Sequence, residues 1–194
     1  YDANSIFRRK NPLGVITAYR HAFSHESDVR LVIRVHNAWR QPEDFATLMA
    51  ASDDRPDIDI IAASRTPELA VAEVARADCF VSLHRSEGFG LNIATAVAAG
   101  TPVIATNYSG CLDFLDPDGT WLIPYKKVRV GEGSRPYAPE AWWAEPDHDH
   151  AVAQFRDVYE SSHRKERAQL AQQFVMQNFS HVAATSRMKK LLGL

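Results

Sequence analysis

The sequence predicts an α/β protein built on a Rossmann-like, doubly wound parallel sheet. Short β-branched runs alternate with helical segments along most of the 194 residues. This alternation is typical of parallel strands joined by helical crossovers. The unusual residues lie in the loops that follow the strands, and in such sheets those loops meet at one edge and bind the ligand. The candidate functional residues are therefore expected in these loops.

The individual elements follow from apolar spacing and from β-branched content. Leu13, Ile16 and Tyr19 recur at helical spacing after Pro12, a residue that suits a first helical turn. The predicted order is helix 12–23, strand 31–35, helix 42–51, strand 58–61, helix 67–77, strand 79–83, helix 91–99, strand 102–105 and strand 120–125. Residues 131–139 are predicted to be an irregular excursion that could act as a mobile flap. After Pro146 the chain is predicted to be helical to about Asn178, with a short last helix from about His181 to Leu192.

The composition favours one domain, residues 1–194, that does not bind nucleic acid. Lys and Arg number 22 against 24 Asp and Glu, which excludes a strong field toward polyanions. Cys79 and Cys111 are too few for a disulfide framework and suit a reducing cytoplasm. No apolar stretch approaches the roughly 20 residues that span a bilayer. We expect a cytoplasmic protein with a small or mixed-charge partner.

The most informative segment runs from Ser86 to Leu91, between a strand end and a helix start. Gly88 and Gly90 leave room for a ligand to approach the backbone, and the free N–H groups of a helix start favour a phosphate. Glu87 would repel that phosphate, so it is expected to face neutral groups such as sugar hydroxyls. Taken alone, the segment is almost as well explained by a tight glycine turn with a solvated acid.

A basic segment, Arg8-Arg9-Lys10, precedes the first predicted helix at the same sheet edge. Its three cations could neutralise a diphosphate, with Arg binding through a planar fork and Lys as a point charge. Considered without the glycine segment, three adjacent cations more often form a solvated basic turn.

Three segments in this order resemble a known family. They are 2–12, with Asp2, Ser5 and Arg9-Lys10-Asn11-Pro12; 82–91, Ser-Leu-His-Arg-Ser-Glu-Gly-Phe-Gly-Leu; and 100–110, Gly-Thr-Pro-Val-Ile-Ala-Thr-Asn-Tyr-Ser-Gly. Together they resemble the C-terminal domain of group 1 retaining glycosyltransferases. These enzymes have the GT-B architecture, in which two Rossmann-like domains face each other across a cleft, and they need no metal ion.

The resemblance implies a role for each matched residue. Arg9 and Lys10 would bind the diphosphate of a nucleotide-sugar donor, and Glu87 would contact the transferred sugar, which makes these three the catalytic candidates. The donor phosphate would be held by the backbone of Gly88, Phe89, Gly90 and Leu91. The chain would need no cofactor and would supply the donor half of a sugar transfer, with retention, to a glycan or lipid-linked acceptor in polysaccharide biosynthesis. The acceptor would bind an N-terminal domain that we expect before Tyr1, through which the protein could associate peripherally with a membrane.

Two parts of the donor site are less well defined. The loop with Ser64 and Arg65 matches the place where the family holds the nucleotide base, but it is equally compatible with an ordinary loop in which Thr66 caps the next helix. The family has a second Glu eight positions after the first, where it contacts the ribose; here that residue is Thr95. Thr95 is shorter and uncharged, so the ribose contact is either lost or bridged by water.

Other residues invite a functional interpretation that we consider weaker. Asp147-His148-Asp149-His150 is better explained by a helix N-terminus than by a metal site, and no metal is expected. His84 is expected to be hydrogen-bonded scaffolding rather than a proton donor. Trp142 and Trp143 are expected to be packing aromatics, although a sugar-stacking platform is an alternative. Tyr108-Ser109-Gly110 either borders the sugar or forms a turn.

Two rival functions remain beside sugar transfer. A degenerate, non-catalytic module that binds nucleotide sugars or serves assembly would explain Thr95. Another sugar-nucleotide enzyme, an epimerase or a phosphorylase, is the third possibility, and a phosphorylase would need a pyridoxal lysine motif that the sequence lacks.

Overall fold

The computed structural model describes residues 1–24, 28–64 and 66–193. Its strands form two parallel groups and one antiparallel hairpin. Strand β1 pairs with β2, and β4 lies between β3 and β5, with all these pairs parallel. The hairpin consists of β6 and β7. The strands are β1 (Leu31–Val35), β2 (Ile58–Ala62), β3 (Phe80–Ser82), β4 (Val103–Thr106), β5 (Trp121–Ile123), β6 (Tyr125–Arg129) and β7 (Trp142–Pro146).

Eight α-helices are present in the described residues, and three of them join successive strands from β1 to β4. Three helices begin with a proline in the first turn, after the left-handed Asn11, after Gln41 and after Thr66, where the missing N–H has no cost. The helices are α1 (Phe7–Lys10), α2 (Pro12–Ala22), α3 (Pro42–Ala50), α4 (Pro67–Arg76), α5 (Leu91–Ala98), α6 (His148–Glu160), α7 (Arg164–Phe179) and α8 (His181–Leu192). None of these helices is long and apolar enough to span a membrane.

Two apolar clusters lie on opposite faces of the parallel strands. Ile104 of β4 belongs to the cluster that α2 and α6 cover, whereas its neighbours Val103 and Ala105 belong to the cluster that α5 and α7 cover. Successive residues of a strand point to opposite faces, so β4 is buried on both. This two-sided covering confirms the predicted doubly wound α/β architecture.

The structure differs from the sequence predictions in four places. The predicted strand 120–125 is two strands, because Pro124 separates β5 from β6. The hairpin that flanks the excursion was not predicted, and the long terminal helix is two helices that are separated at 161–163. The basic segment is not a turn but the short helix α1. Two of these four differences concern where an element ends, and the order of the parallel strands and their helices is as predicted.

Candidate donor-binding site

Asn11 fixes the basic segment against the end of β3. Asn11 adopts left-handed backbone angles (φ 54°) where α1 ends and α2 begins. Its buried side chain donates a hydrogen bond from Nδ2 to the Leu83 carbonyl at 2.8 Å. Gly14 makes room for it, since a Cβ there would lie 2.5 Å from Asn11 Nδ2. The last turn of α1 is therefore held beside the loop that follows β3.

Arg9 and Lys10 both form ion pairs with Glu87, which lies 78 and 77 residues further along the chain. Arg9 reaches Glu87 Oε2 at 3.2 Å, and the Lys10 ammonium binds Oε1 directly. Arg9 also donates to the Ser86 carbonyl at 2.7 Å and to Ser5 Oγ at 2.6 Å, which orients its guanidinium. The structure thus brings together the three residues that were predicted to be catalytic.

Glu87 is ionised in this arrangement. Burial by itself would raise the pKa of the Glu87 carboxyl, but the hydrogen bond from Lys10 and the charges of Lys10 and Arg9 outweigh it, so the pKa is lowered from its ordinary value. With two cations against one carboxylate, the cluster carries a net positive charge. Side-chain exposures of 14% for Arg9 and 23% for Lys10 leave both cations within reach of a ligand at the surface.

The glycine segment approaches the loop after β4 so closely that only glycine fits at two positions. Gly90 precedes α5 with left-handed angles (φ 85°), which a side chain rarely adopts. A Cβ on Gly110 would lie 1.7 Å from the Gly88 carbonyl oxygen. Gly88 itself has open space around the position of a Cβ. Gly110 and Gly90 therefore shape the loop, while Gly88 leaves its outer face open to a ligand.

Ser109 joins the loops after β3 and β4. Its backbone is left-handed (φ 73°), a strained conformation for a residue other than glycine. Its hydroxyl accepts a hydrogen bond from the Glu87 amide at 2.8 Å, and the Glu87 carbonyl accepts one from the Gly110 amide at 3.2 Å. These two hydrogen bonds hold the backbone that carries Glu87 against the loop after β4.

His84 is scaffolding, as predicted. The ring is fully buried, and its Nε2 lies 3.1 Å from the Tyr108 carbonyl, which can only accept. Nδ1 is therefore the acceptor for Ser82 Oγ at 3.0 Å in the neutral ring. Burial lowers the pKa of His84, which keeps it neutral.

Cys111 lies 3.5 Å from His84 Nε2, a geometry that resembles a nucleophile beside a base. Burial raises the pKa of the Cys111 thiol to about 11, and the thiol is fully buried. A thiol of that pKa is protonated near neutral pH and is a poor nucleophile. The pair therefore packs the loop after β4 rather than performing chemistry.

The third cation of the basic segment, Arg8, contacts a different part of the protein. Arg8 donates to the Glu132 carbonyl at 2.8 Å and to Ser134 Oγ at 3.0 Å, both in the excursion between β6 and β7. It also lies over the buried ring of Trp143. The predicted three-cation cluster is therefore a two-cation cluster, and Arg8 instead anchors the excursion next to it.

The comparisons with known proteins identify the family. A family model described as "Family 4 Glycosyltransferase in conflict systems" matches residues 9–186. The chain belongs to this family of glycosyltransferases. No curated protein matches it in sequence.

Several solved glycosyltransferase structures have the same fold as this chain. HepE of Anabaena, crystallised with UDP and glucose, is 14% identical with a TM-score of 0.73, over 99% of this chain and 47% of its own. The C-terminal domain of a group 1 glycosyltransferase from Francisella tularensis, LpcC, is 16% identical with a TM-score of 0.68, over 93% of this chain and 84% of its own. The structure of a GtfA/B complex is 17% identical with a TM-score of 0.69, over 95% of this chain and 33% of that one. The chain thus spans a third to a half of the length of HepE and of the matched GtfA/B chain, and its fold is that of a GT-B domain.

The other predicted donor residues of the glycosyltransferase lie along the same edge with different exposure. Leu91 is 72% exposed, and Phe89 is half-exposed and packs against Phe114. Thr95 is partly buried, and its hydroxyl donates to the Leu91 carbonyl at 2.9 Å within its own helix. Ser64 is exposed after β2, whereas Arg65 lies outside the described residues. Thr66 caps α4 by accepting from the Leu69 amide, as the alternative interpretation of this loop proposed.

Three further predictions outside the loop edge can be compared with the structure. Asp147 caps α6 by accepting a hydrogen bond from the His150 amide at 2.8 Å, which confirms the capping interpretation. Trp143 packs in the interior as predicted, but Trp142 is 51% exposed beneath the Arg129 guanidinium.

The sequence did not reveal three residues that hold the site together. Ser5 orients Arg9, Ser109 positions the Glu87 amide, and Glu145 binds Arg85 through two hydrogen bonds of 2.6 and 2.8 Å. Arg85 in turn donates to the Arg8 carbonyl. Ser5 and Ser109 both lie within the segments that resemble the family, and this position was the one feature of the sequence that could have indicated their role. Glu145 gave no local signal, since its partner lies 60 residues away.

Proposed function

We propose that this chain binds a nucleotide-diphosphate sugar and supplies the donor site for sugar transfer, with retention of anomeric configuration, to a glycan or lipid-linked acceptor. The observation that carries the proposal is the pairing of Arg9 and Lys10 with Glu87 immediately before the glycine loop and α5. Family membership supports sugar transfer, and the pairing supports assigning that role to this part of the chain.

Arg9 and Lys10 would bind the diphosphate and stabilise it as it leaves. Negative charge accumulates on the diphosphate as the glycosidic bond breaks, so cations held in place beforehand lower the barrier. Arg9 is fixed by Ser5 and Ser86, so little reorganisation is needed when the donor binds. These two cations would take the part that a metal ion plays in other transferases, and the proposal includes neither metal nor cofactor.

Glu87 would bind the sugar rather than the diphosphate. Its ionised carboxylate is an acceptor for sugar hydroxyls and would repel phosphate oxygens. Gly88 to Leu91 lie in the loop before α5 and at its first residue, where the partial positive charge of a helix start favours a phosphate. The sugar and the diphosphate would therefore bind side by side along this ion-paired cluster, with the sugar nearer Glu87 and the diphosphate nearer the two cations and the start of α5.

Retention is proposed to occur by departure and attack on one face of the sugar. This path needs no protein nucleophile, and the Cys111 thiol near the site is buried and protonated. Transfer would require an acceptor-binding domain facing this edge, so the chain by itself is expected to bind donor without transferring sugar.

A second candidate function, a non-catalytic module that binds nucleotide sugars, is favoured by Thr95. The resemblance predicts a carboxylate for the ribose at this position, and the Thr95 hydroxyl proton is already used by the Leu91 carbonyl. Weak donor binding through the diphosphate alone would favour this module.

Calorimetric titration with UDP, GDP, ADP and TDP tests the proposal. We expect one nucleotide to bind preferentially, and Lys10→Ala to weaken it roughly 10- to 150-fold, since a hydrogen bond to a charged group contributes about 1.5–3 kcal/mol. Lys189→Ala, which removes an exposed lysine of α8, is the matched control and should bind as the wild type does. Binding that is unaffected by Lys10→Ala would refute the proposed donor site.

A further inference from the structure

Strand pairing sets the order of the loops at the C-terminal edge of the sheets. Val35 at the end of β1 pairs with Ala62 at the end of β2, so the loops that follow these strands are neighbours. On the other side of β1, His36 forms a parallel bridge with Asp2, whose segment continues to Arg9 and Lys10. Strands lie about 4.8 Å apart, so the loop after β1 lies between the loop after β2 and the cation pair.

This middle loop exposes a tryptophan. Trp39 lies in a short 3-10 turn (Ala38–Arg40) and is 73% exposed, far more than the buried Trp121 and Trp143. Its partner is Arg40, whose guanidinium lies over the ring at 4.6 Å. An aromatic ring this exposed, with a cation on it, is a surface on which a flat ligand can stack.

The turn that carries Trp39 is fixed to the cation site. Asn37 begins it in the left-handed conformation, and its Nδ2 donates to Asp2 Oδ1 at 2.9 Å. Gln41 ends it and donates to the Ser5 carbonyl at 3.4 Å. Ser5 is also the residue whose hydroxyl accepts from Arg9 at 2.6 Å. The turn that carries the indole is therefore tied to the segment that leads to Arg9 and Lys10.

We infer that Trp39 is the stacking surface for the nucleobase of the donor, and thus a residue that sets nucleotide affinity. This inference rests on the proposed function. With the sugar beside Glu87 on the β3 side of the cations, the nucleoside must extend toward β1 and β2. Among the described residues, Trp39 is an exposed aromatic ring on that side, in the turn after β1, and the neighbouring strand β2 is followed by the loop of Ser64.

The test compares nucleotides with inorganic pyrophosphate, which has no base. Trp39→Ala should weaken binding of the preferred nucleoside diphosphate roughly 5- to 150-fold, because stacking of a base on an aromatic ring contributes about 1–3 kcal/mol. The affinity for pyrophosphate should be unchanged. It is obtained by displacing bound nucleotide with pyrophosphate and correcting for the affinity of each variant for the nucleotide. Trp39→Phe should retain most of the affinity. Trp142→Ala, which removes another exposed tryptophan under an arginine, is the matched control and should bind normally.

The possible results separate this inference from the proposed function. If Lys10→Ala weakens both ligands while Trp39→Ala binds nucleotide normally, Trp39 does not stack the base and only the inference fails. An equal loss of nucleotide and pyrophosphate in Trp39→Ala also overturns it, since the ring would then support the loop or face a protein partner. If the wild-type chain binds no nucleotide, both the inference and the proposed donor site fail.

Discussion

Gly110→Ala should disrupt the loop that carries Glu87, although the substitution adds only one methyl group. The new Cβ would lie 1.7 Å from the Gly88 carbonyl oxygen, and Cβ contacts below 3.0 Å essentially do not occur. The carbonyl would have to retreat by at least about 1.3 Å, and it is backbone, so it cannot rotate away as a side chain would. The adjacent Ser109 is already strained at φ 73°, which leaves little freedom to absorb the shift.

The expected cost follows from the effects of overpacking. Forcing an extra carbon into a packed site costs about 1–3 kcal/mol. For a protein of this size, 1 kcal/mol lowers Tm by about 2–4 °C, so Gly110→Ala should melt roughly 2–12 °C below the wild type in calorimetry or circular dichroism.

Gly88→Ala provides the control within the same loop. No atom lies within 4 Å of a Cβ at Gly88, so its Tm should stay close to that of the wild type. Equal Tm values for the two variants would refute the close approach of the loops after β3 and β4.

Two further predictions concern stability against acid and the ribose contact. The hydrogen bonds from Arg55 and Tyr19 hold the pKa of Asp57 well below its ordinary value, so its ionised form stabilises the fold above about pH 4 and this stabilisation is lost as pH falls through the lowered pKa. Asp57→Asn should therefore lower the free energy of unfolding by about 1–3 kcal/mol at pH 7, with the difference from the wild type shrinking in urea titrations below pH 4; a difference independent of pH would contradict this. Thr95→Glu should strengthen nucleoside diphosphate binding roughly 10-fold in calorimetry without improving displacement by pyrophosphate, and no gain would mean that the ribose lies away from α5.

The order of parallel strands and helices could be predicted because it depends on the local spacing of apolar residues and on residues that begin helices. Leu31–Val35 is a β-branched run with its own boundaries, and Pro12 and Pro67 mark helix starts. The hairpin could not be predicted in the same way. Its first strand, Tyr125–Arg129, is rich in basic residues, and its partner strand lies beyond the excursion.

The candidate site could be predicted only as a set of residues and not as a geometry. The resemblance pointed to Arg9, Lys10 and Glu87, but not to the ion pairs among them, which depend on how α1 docks against β3. Arg8 shows the same limit, since its contact with Ser134 joins residues 126 positions apart. Trp39 gave no signal in the sequence, because only strand pairing places its turn beside the cations.

A crystal structure of the chain with its preferred nucleoside diphosphate tests the central claim most directly. We expect the diphosphate to lie within hydrogen-bonding distance of Lys10 Nζ and of the amides that begin α5, and the base to lie against Trp39. A nucleotide bound elsewhere, for example in the groove lined by Leu13, Arg20 and Arg55, would contradict the assignment of the donor site.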